Sequence, residues 1–250
     1  MKIKAVVLAA GYATRLYPLT LNIPKPLLKI KRDKSVIDFI VDELEPSPWI
    51  DEVIVVTNHK FTPDFSLWAR KRKYGSKIVV LDDGTRSNDD RLGAIGDIYF
   101  AVKKKKIDSD LLVIGGDNLF DCGFANFLKF ALSKRPLPSL GLFDIRDKKA
   151  ASRFGIVRVD RDSRVTSFEE KPAVPQSTLV ATCLYYFPSQ TLTLLERYML
   201  DRTTSKDAPG NYIRWLQHEA GVCGFILKKG HWYDIGHFDS YKEVVSRYNH

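Results

Sequence analysis

Short apolar runs alternate with longer stretches of helical period through the first half of the chain. Residues 4–9, 52–57, 77–81 and 110–115 have strand length and β-branched character, whereas 36–45, 64–73, 94–104 and 123–134 carry apolar residues at helical spacing. This alternation predicts a parallel sheet wrapped by helices. In such sheets ligands sit beyond the carboxyl ends of the strands, so the loops at 10–26, 82–93 and 116–121 are expected to share one rim. The second half reads differently. Residues 138–145, 154–159, 164–169 and 179–187 are strand-like with turns between them, followed by a helix at 189–199, a short strand pair near 222–233 and a closing helix at 238–248. The expected class is therefore α/β, a mostly parallel mixed sheet with a small β insertion beside it. No internal repeat, low-complexity tract or long linker interrupts the pattern, so one domain over 1–250 is expected, with halves at about 1–135 and 136–250.

Composition narrows this picture only modestly. Hydrophobic content of 44% and charged content of 28% are ordinary globular values, which excludes long disorder. No stretch approaches the length of apolar chain that spans a bilayer, and no membrane role is expected. The N-terminal Met1-Lys2-Ile3-Lys4 and the apolar run after it imitate a leader peptide, but the run is short and ends in a glycine loop, which reads as a first strand. Cys122, Cys183 and Cys223 are widely spaced without a Cys-x-x-Cys pair. That argues against a disulfide framework and a structural zinc site and points to a reducing cytoplasm. The net charge of +9 directs attention to the basic runs at 103–106 and 70–73. Both fall near the ends of expected helices, where cations complement the macrodipole, and neither is interleaved with aromatics, so no nucleic-acid partner is expected.

The loop after the first strand carries the candidate chemistry. Leu8, Ala9 and Ala10 lead into Gly11, where the backbone can approach a ligand without a Cβ in the way. Arg15 offers a planar fork of donors and Lys25 a compact ammonium, a combination suited to a polyphosphate, while Pro18, Pro24 and Pro26 stiffen the segment. Walker A and the dinucleotide fingerprint both need further glycines that this loop lacks. Gly11, Arg15, Pro18, Thr20 and Pro24-Lys25-Pro26 instead resemble the Gly-x-x-x-Arg-x-x-Pro-x-Thr and Pro-Lys-Pro signature of the sugar-nucleotide pyrophosphorylases. That nucleotidyltransferase family includes glucose-1-phosphate thymidylyltransferase and related NDP-sugar synthetases. The resemblance implies a Rossmann-like fold of the nucleotide-diphospho-sugar transferase type, with a nucleotide-binding first half and a sugar-binding second half. After residue 234 too little chain remains for the C-terminal β-helix that some members carry.

Further motifs extend the match. Asp117 follows a buried strand in Gly115-Gly116-Asp117-Asn118, and Asp234 lies in Trp232-Tyr233-Asp234-Ile235-Gly236, similar to the family's Trp-x-Asp-x-Gly. The resemblance makes these two carboxylates the ligands of one Mg2+ ion, the cofactor it implies. Glu169-Glu170-Lys171-Pro172 matches the family's Glu-Glu-Lys-Pro. By carry-over Glu170 accepts from sugar hydroxyls, Lys171 pairs with the sugar phosphate, and Thr182 lies beside them. Gly93, with Ala94, would hold the close backbone approach to the base, alongside Leu8 to Gly11 and Asp117. His231 and His237 have no partner at metal-ligand spacing and read as structural or rim residues.

The implied reaction joins a nucleoside triphosphate to a sugar 1-phosphate, giving an NDP-sugar and pyrophosphate, with Arg15, Lys25 and Lys171 as the catalytic cations. Three departures stand out. No residue in 82–97 replaces the family's base-reading Gln, Cys183 stands where the family has Gly against the sugar, and residues 207–212 occupy the place of a Glu-x-Thr-Asp stretch. The base is thus unassigned, and an inositol or choline phosphate cytidylyltransferase, or a non-catalytic nucleotide-sugar-binding regulatory module, stays open. So does a homo-oligomer.

Overall fold

A computed structural model describes residues 2–72 and 75–249. The chain runs β1 (Ile3–Leu8), α1 (Val36–Leu44), β2 (Ile50–Thr57), α2 (Thr62–Arg70), β3 (Ile78–Asp82), α3 (Gly93–Lys105), β4 (Asp110–Gly115), β5 (Asn118–Phe120) and α4 (Ala125–Ser133). It continues with β6 (Ser139–Asp144), a short α5 (Lys148–Ala151), β7 (Gly155–Val159), β8 (Val165–Glu170), β9 (Leu179–Phe187), α6 (Leu192–Leu200), α7 (Pro209–Glu219), β10 (Cys223–Ile226), β11 (Trp232–Asp234) and α8 (Phe238–Asn249). The main sheet is ordered β10-β6-β9-β4-β1-β2-β3, with the β7–β8 hairpin joined to β9. Pairings among β4, β1, β2 and β3 are parallel, and β9 runs antiparallel to β4 and β6. This is the mostly parallel mixed sheet expected from the sequence, with the β insertion on its second-half side.

The central strands read as continuous apolar runs because both of their faces are covered. Alternate residues of β1 face opposite layers. Ile3, Ala5 and Val7 pack with Ile37, Ile40 and Leu44 of α1 and Phe65 of α2. Val6 packs with Ile95 and Ile98 of α3 and Tyr212, Ile213 and Leu216 of α7. A third cluster, Leu16, Leu28, Ile30, Val36, Leu119, Ile235 and Val244, pins the glycine-loop segment to α8 and to the tail after β11.

Four features differ from the sequence expectation. The segments near 222–233 do not pair with each other: β10 joins β6 in the main sheet, and β11 pairs antiparallel with β5 in a separate two-stranded sheet. The strand β5 was not expected, since three residues are too short for a periodic signal. Helix α7 was also not expected, although Pro209 at its first turn and apolar Tyr212, Ile213 and Leu216 carry the signal. The helix expected at 189–199 begins as a 3-10 turn, Ser189–Thr191, before α6. Among the described residues no helix is long and apolar enough to cross a membrane.

Three members of the basic runs, Lys103, Lys105 and Arg72, pair with acids. Lys103 pairs with Glu196 at 2.5 Å and Lys105 with Glu52 at 2.9 Å, while Lys73 lies outside the described residues. Arg72 bridges the α2 end to α1, bonding Asp38 Oδ1 at 2.8 Å, Glu45 Oε2 at 2.9 Å and Asp42. Asp38 also completes the capping box of α1 with Ser35, so one buried carboxylate serves cap and ion pair together. Replacing Arg72 by Met strands Asp38 and Glu45 as buried uncompensated charges. A loss of about 3 kcal/mol in denaturant unfolding at neutral pH is expected, and an unchanged midpoint would show that the network contributes nothing.

Candidate functional site

The glycine loop leaves β1 at the carboxyl edge of the sheet, where the sequence places it, and lines a cavity of about 610 Å³. Side chains from two directions hold the loop by its carbonyls. Asn58 Nδ2 donates to Ala10 O at 2.8 Å, and Thr20 Oγ1 donates to Ala13 O at 2.8 Å. A Cβ built on Gly11 meets nothing within 4 Å, and its φ is not positive. Neither packing nor backbone strain therefore demands glycine there, and the space beside it belongs to the cavity. Arg15, exposed within the 3-10 turn Thr14–Leu16, lines the same cavity and makes no ion pair among the described residues.

Asp117 sits just past β4, and the β5–β11 pairing sets Asp234 opposite Asn118. The Ile235 N–H donates to Asp117 O at 3.0 Å, so two carboxylates far apart in sequence are fixed side by side on one short ribbon. Both oxygens of Asp117 are occupied: Lys25 Nζ donates to Oδ2 at 2.5 Å and Asn118 Nδ2 donates to Oδ1 at 2.8 Å. Trp232 Nε1 donates in turn to Asn118 Oδ1 at 2.6 Å, which sets the amide orientation. Burial pushes the Asp117 carboxyl up, but the charge and hydrogen bond of Lys25 outweigh it and hold it below its ordinary value. Asp234 goes the other way, raised by burial and then by the neighbouring Asp117 charge, against the pull of Lys25, Arg15 and Lys171. Gly115 and Gly116 make room for this arrangement. A Cβ at Gly115 would meet Asn118 Nδ2 at 2.5 Å, and one at Gly116 would meet Leu8 O at 2.6 Å.

Glu170 ends β8 on the far side of the cavity, and Lys171 follows it. Burial raises the Glu170 carboxyl against Lys171 and Arg214. Lys171 Nζ lies 3.8 Å from Glu170 Oε1, its side chain is mostly exposed, and its backbone is left-handed at φ 47°. Thr182 lines the cavity, but its hydroxyl is turned into the sheet, donating to Gly141 O at 3.0 Å. Cys183 follows at φ 50°, and its thiol is pushed far up by burial and then by the Asp117 and Asp234 charges, so it stays protonated and acts as a packing group. Gly210, in the first turn of α7, was missed with its helix. A Cβ there would meet Glu170 Oε2 at 2.0 Å and Phe168 Cε1 at 2.8 Å, so this glycine admits the Glu170 carboxyl. Gly93, at φ 76°, is required by close approach to Lys206 O and Asp207 Cα, at 2.7 and 2.9 Å from a built Cβ.

Every residue singled out from the sequence, Leu8 to Gly11, Arg15, Lys25, Gly93, Asp117, Glu170, Lys171, Thr182 and Asp234, lines this one cavity. His231 and His237 stand outside it: His231 pairs with Asp121 at 2.9 Å, and His237 lies 3.3 Å from Arg153. Asp117 and Asp234 supply hard carboxylate oxygens, and among the described residues no group of three or more His, Cys, Asp and Glu could hold a metal. The pair fits a hard divalent cation whose shell is completed by phosphate and water, and an ammonium already sits on one of its oxygens.

The chain is similar to known proteins along nearly its whole length. The sequence model of the nucleotidyl transferase family matches residues 4–250. A glucose-1-phosphate adenylyltransferase of Fusobacterium nucleatum is 29% identical, over 96% of this chain and 65% of that protein. The bifunctional protein GlmU of Methanocaldococcus jannaschii is 26% identical, over 93% of this chain and 51% of its own length. The chain thus spans about half to two thirds of these relatives. A crystal structure of a Bacillus anthracis protein, provisionally assigned as a glucose-1-phosphate thymidylyltransferase and solved with sucrose, superposes with a TM-score of 0.83 at 19% identity. It covers 98% of this chain and 94% of that one and shows the shared fold.

Because Gly11 is free of both packing and strain, Gly11→Ala is expected to keep stability within about 0.5 kcal/mol. The added methyl enters the cavity beside the cationic loop, so affinity for a polyphosphate probe such as inorganic tripolyphosphate should fall by about tenfold or more in calorimetric titration. Equal loss of stability and binding would place the requirement for glycine in the fold instead.

Proposed function

The chain belongs to the nucleotidyl transferase family, and we propose that it transfers a nucleotidyl group from a nucleoside triphosphate to a sugar 1-phosphate, releasing pyrophosphate. The observation that carries this reading is the convergence of Arg15, Lys25 and Lys171 around the facing carboxylates Asp117 and Asp234 at the carboxyl ends of β1 and β4. Such a site is built to gather phosphates of both substrates and to neutralise them.

The attacking group is a phosphate oxygen that is already an anion, so no general base is needed and catalysis is positioning and charge compensation. Asp117 and Asp234 would hold a divalent cation, which we take to be Mg2+; when bound, it supplies neutralisation of charge at the α-phosphate. Lys25, anchored on Asp117, would meet the α-phosphate. Arg15, unpaired at the loop, is available to the departing pyrophosphate. Lys171, held beside Glu170, orients the acceptor phosphate, and Glu170 accepts from acceptor hydroxyls. Asn118 and Trp232 fix the Asp117 carboxylate so that it does not reorganise during the reaction. Cys183 fills space on the acceptor side, which is why inositol and choline phosphates belong in the test beside sugar 1-phosphates.

Pyrophosphate release is to be followed with Mg2+ across five nucleoside triphosphates and a panel of sugar and alcohol phosphates. Turnover confined to particular triphosphate and acceptor pairs is expected. Asp117→Asn should lower it by at least about a hundredfold while the circular dichroism spectrum is unchanged, and chelation with EDTA should abolish it reversibly. Triphosphate binding without release on any pair would favour a regulatory binding module, and full activity of Asp117→Asn would remove the metal assignment.

A further inference from the structure

Two acids at the β3 end of the cavity have no role in phosphate chemistry. Asp83 lies one residue beyond β3, and Asp97 lies in the first turns of α3; both line the cavity. In the sheet order β3 lies two strands beyond β1, on the side away from β9 and the β7–β8 hairpin that carries Glu170 and Lys171. With phosphates gathered at Arg15 and Lys25 and the acceptor on the β8 side, the space left for a nucleobase is this acidic end.

The hydrogen bonding there is incomplete in a specific way. The backbone N–H and the hydroxyl of Thr85 both donate to Asp83 Oδ1, each at 2.7 Å. Asp97 is 6% exposed, and its Oδ1 is buried without any hydrogen-bond donor. A buried carboxyl oxygen left unpaired is costly, and a ligand donor that reaches it recovers that cost. Asp82, the adjoining acid, is already engaged by His59 Nδ1 at 2.7 Å, and Asp90 is taken up by the turn at Ser87.

We propose that the Asp83–Asp97 pair reads the nucleobase and selects triphosphates whose base carries an exocyclic amine, adenine, cytosine or guanine, over uracil and thymine. The inference rests on the nucleotidyl-transfer reading of the cavity. Two neighbouring carboxyls that are both drawn out of water share a proton, since both cannot ionise together. Burial and then the Asp83 charge push the Asp97 carboxyl up to about 8, so at neutral pH Asp97 is protonated and bonds Asp83. Asp97 Oδ1 then remains as an acceptor beside a net negative charge. An exocyclic amine presents two N–H donors to such a group. Uracil and thymine present one N–H flanked by two carbonyl oxygens, which meet the same acids with like partial charge. Tyr12 packs over this end from the glycine loop, and the cation that also lines it, Arg91, is held by Asp207, with its Nε 3.1 Å from Asp207 Oδ1.

Calorimetric titration of the full chain with ATP, CTP, GTP, UTP and dTTP, with Mg2+ and no acceptor, tests this without requiring turnover. At least one amine-bearing triphosphate should bind about tenfold or more tightly than both UTP and dTTP. Asp97→Asn keeps the shape and supplies an amide donor to a base carbonyl, so it should move that ratio about tenfold toward uracil. Asp97→Ala should bring it near one. Preference of the parent protein for UTP or dTTP, or an unmoved ratio in Asp97→Asn, overturns the inference while leaving nucleotidyl transfer intact. Absence of binding by all five overturns the underlying reading, and the inference with it.

Discussion

A negative charge in the wall of the cavity must be compensated, and Asp117 is the point at which the structure does so. Its two oxygens take a lysine ammonium from the glycine-loop segment and an amide from β5, while its carbonyl takes the backbone N–H after Asp234. Segments around Lys25, Asn118 and Ile235 therefore meet at one residue, two of them through its side chain and one through its carbonyl. The apolar cluster of Leu16, Leu28, Leu119, Ile235 and Val244 beneath them makes the meeting rigid, since it buries residues from each of these segments and from α8. Without the lysine, Asp117 and Asp234 would be like charges in a poorly solvated wall, and one of them would be driven neutral.

That constraint explains why the central fold and most of the site were legible. A strand buried on both faces leaves a continuous apolar run, a glycine loop leaves its composition, and phosphate chemistry needs cations and carboxylates in number. What escaped were the elements whose signals are short or shared. β5 is three residues long and is defined only by its partner β11. β10 and β11 have similar strand-like composition, and nothing local says that one joins β6 while the other turns back to cover Asn118. Helix α7 was hidden by a loop-like entry, Asp207-Ala208-Pro209-Gly210, in which the proline begins a helix and the glycine admits the Glu170 carboxyl. The roles of Thr182 and Gly11 needed coordinates for a different reason. Whether a hydroxyl faces a ligand or a backbone carbonyl, and whether a glycine is required by its neighbours, are properties of packing.

The cavity is also polarised along the sheet. Its middle and acceptor side hold Arg15, Lys25 and Lys171, while the β3 side holds Asp83 and Asp97. The field of such a wall draws an anion toward the cationic middle and away from the acidic end before any specific contact forms. Here the loops after β1, β3 and β4 meet along one rim, as doubly wound sheets arrange them.

Backbone strain follows the same geography. Among the described residues six non-glycine side chains have a left-handed backbone, and Ala13, Lys171 and Cys183 of these six line the cavity. A left-handed residue with a Cβ costs roughly 1–2 kcal/mol, and it persists only where surroundings over-determine it. Thr20 holds Ala13 by its carbonyl, the Phe154 carbonyl accepts the Lys171 N–H, and Cys183 is confined within β9 between its neighbours in the sheet. Lys106, by contrast, sits at the left-handed C-cap of α3, where a helix end commonly makes this turn. Strain at a helix end terminates an element, whereas strain at Ala13, Lys171 and Cys183 aims backbone and side chains into a shared space. The fold thus gives up stability at the positions that shape the cavity and recovers it in the buried strands and helices on either side.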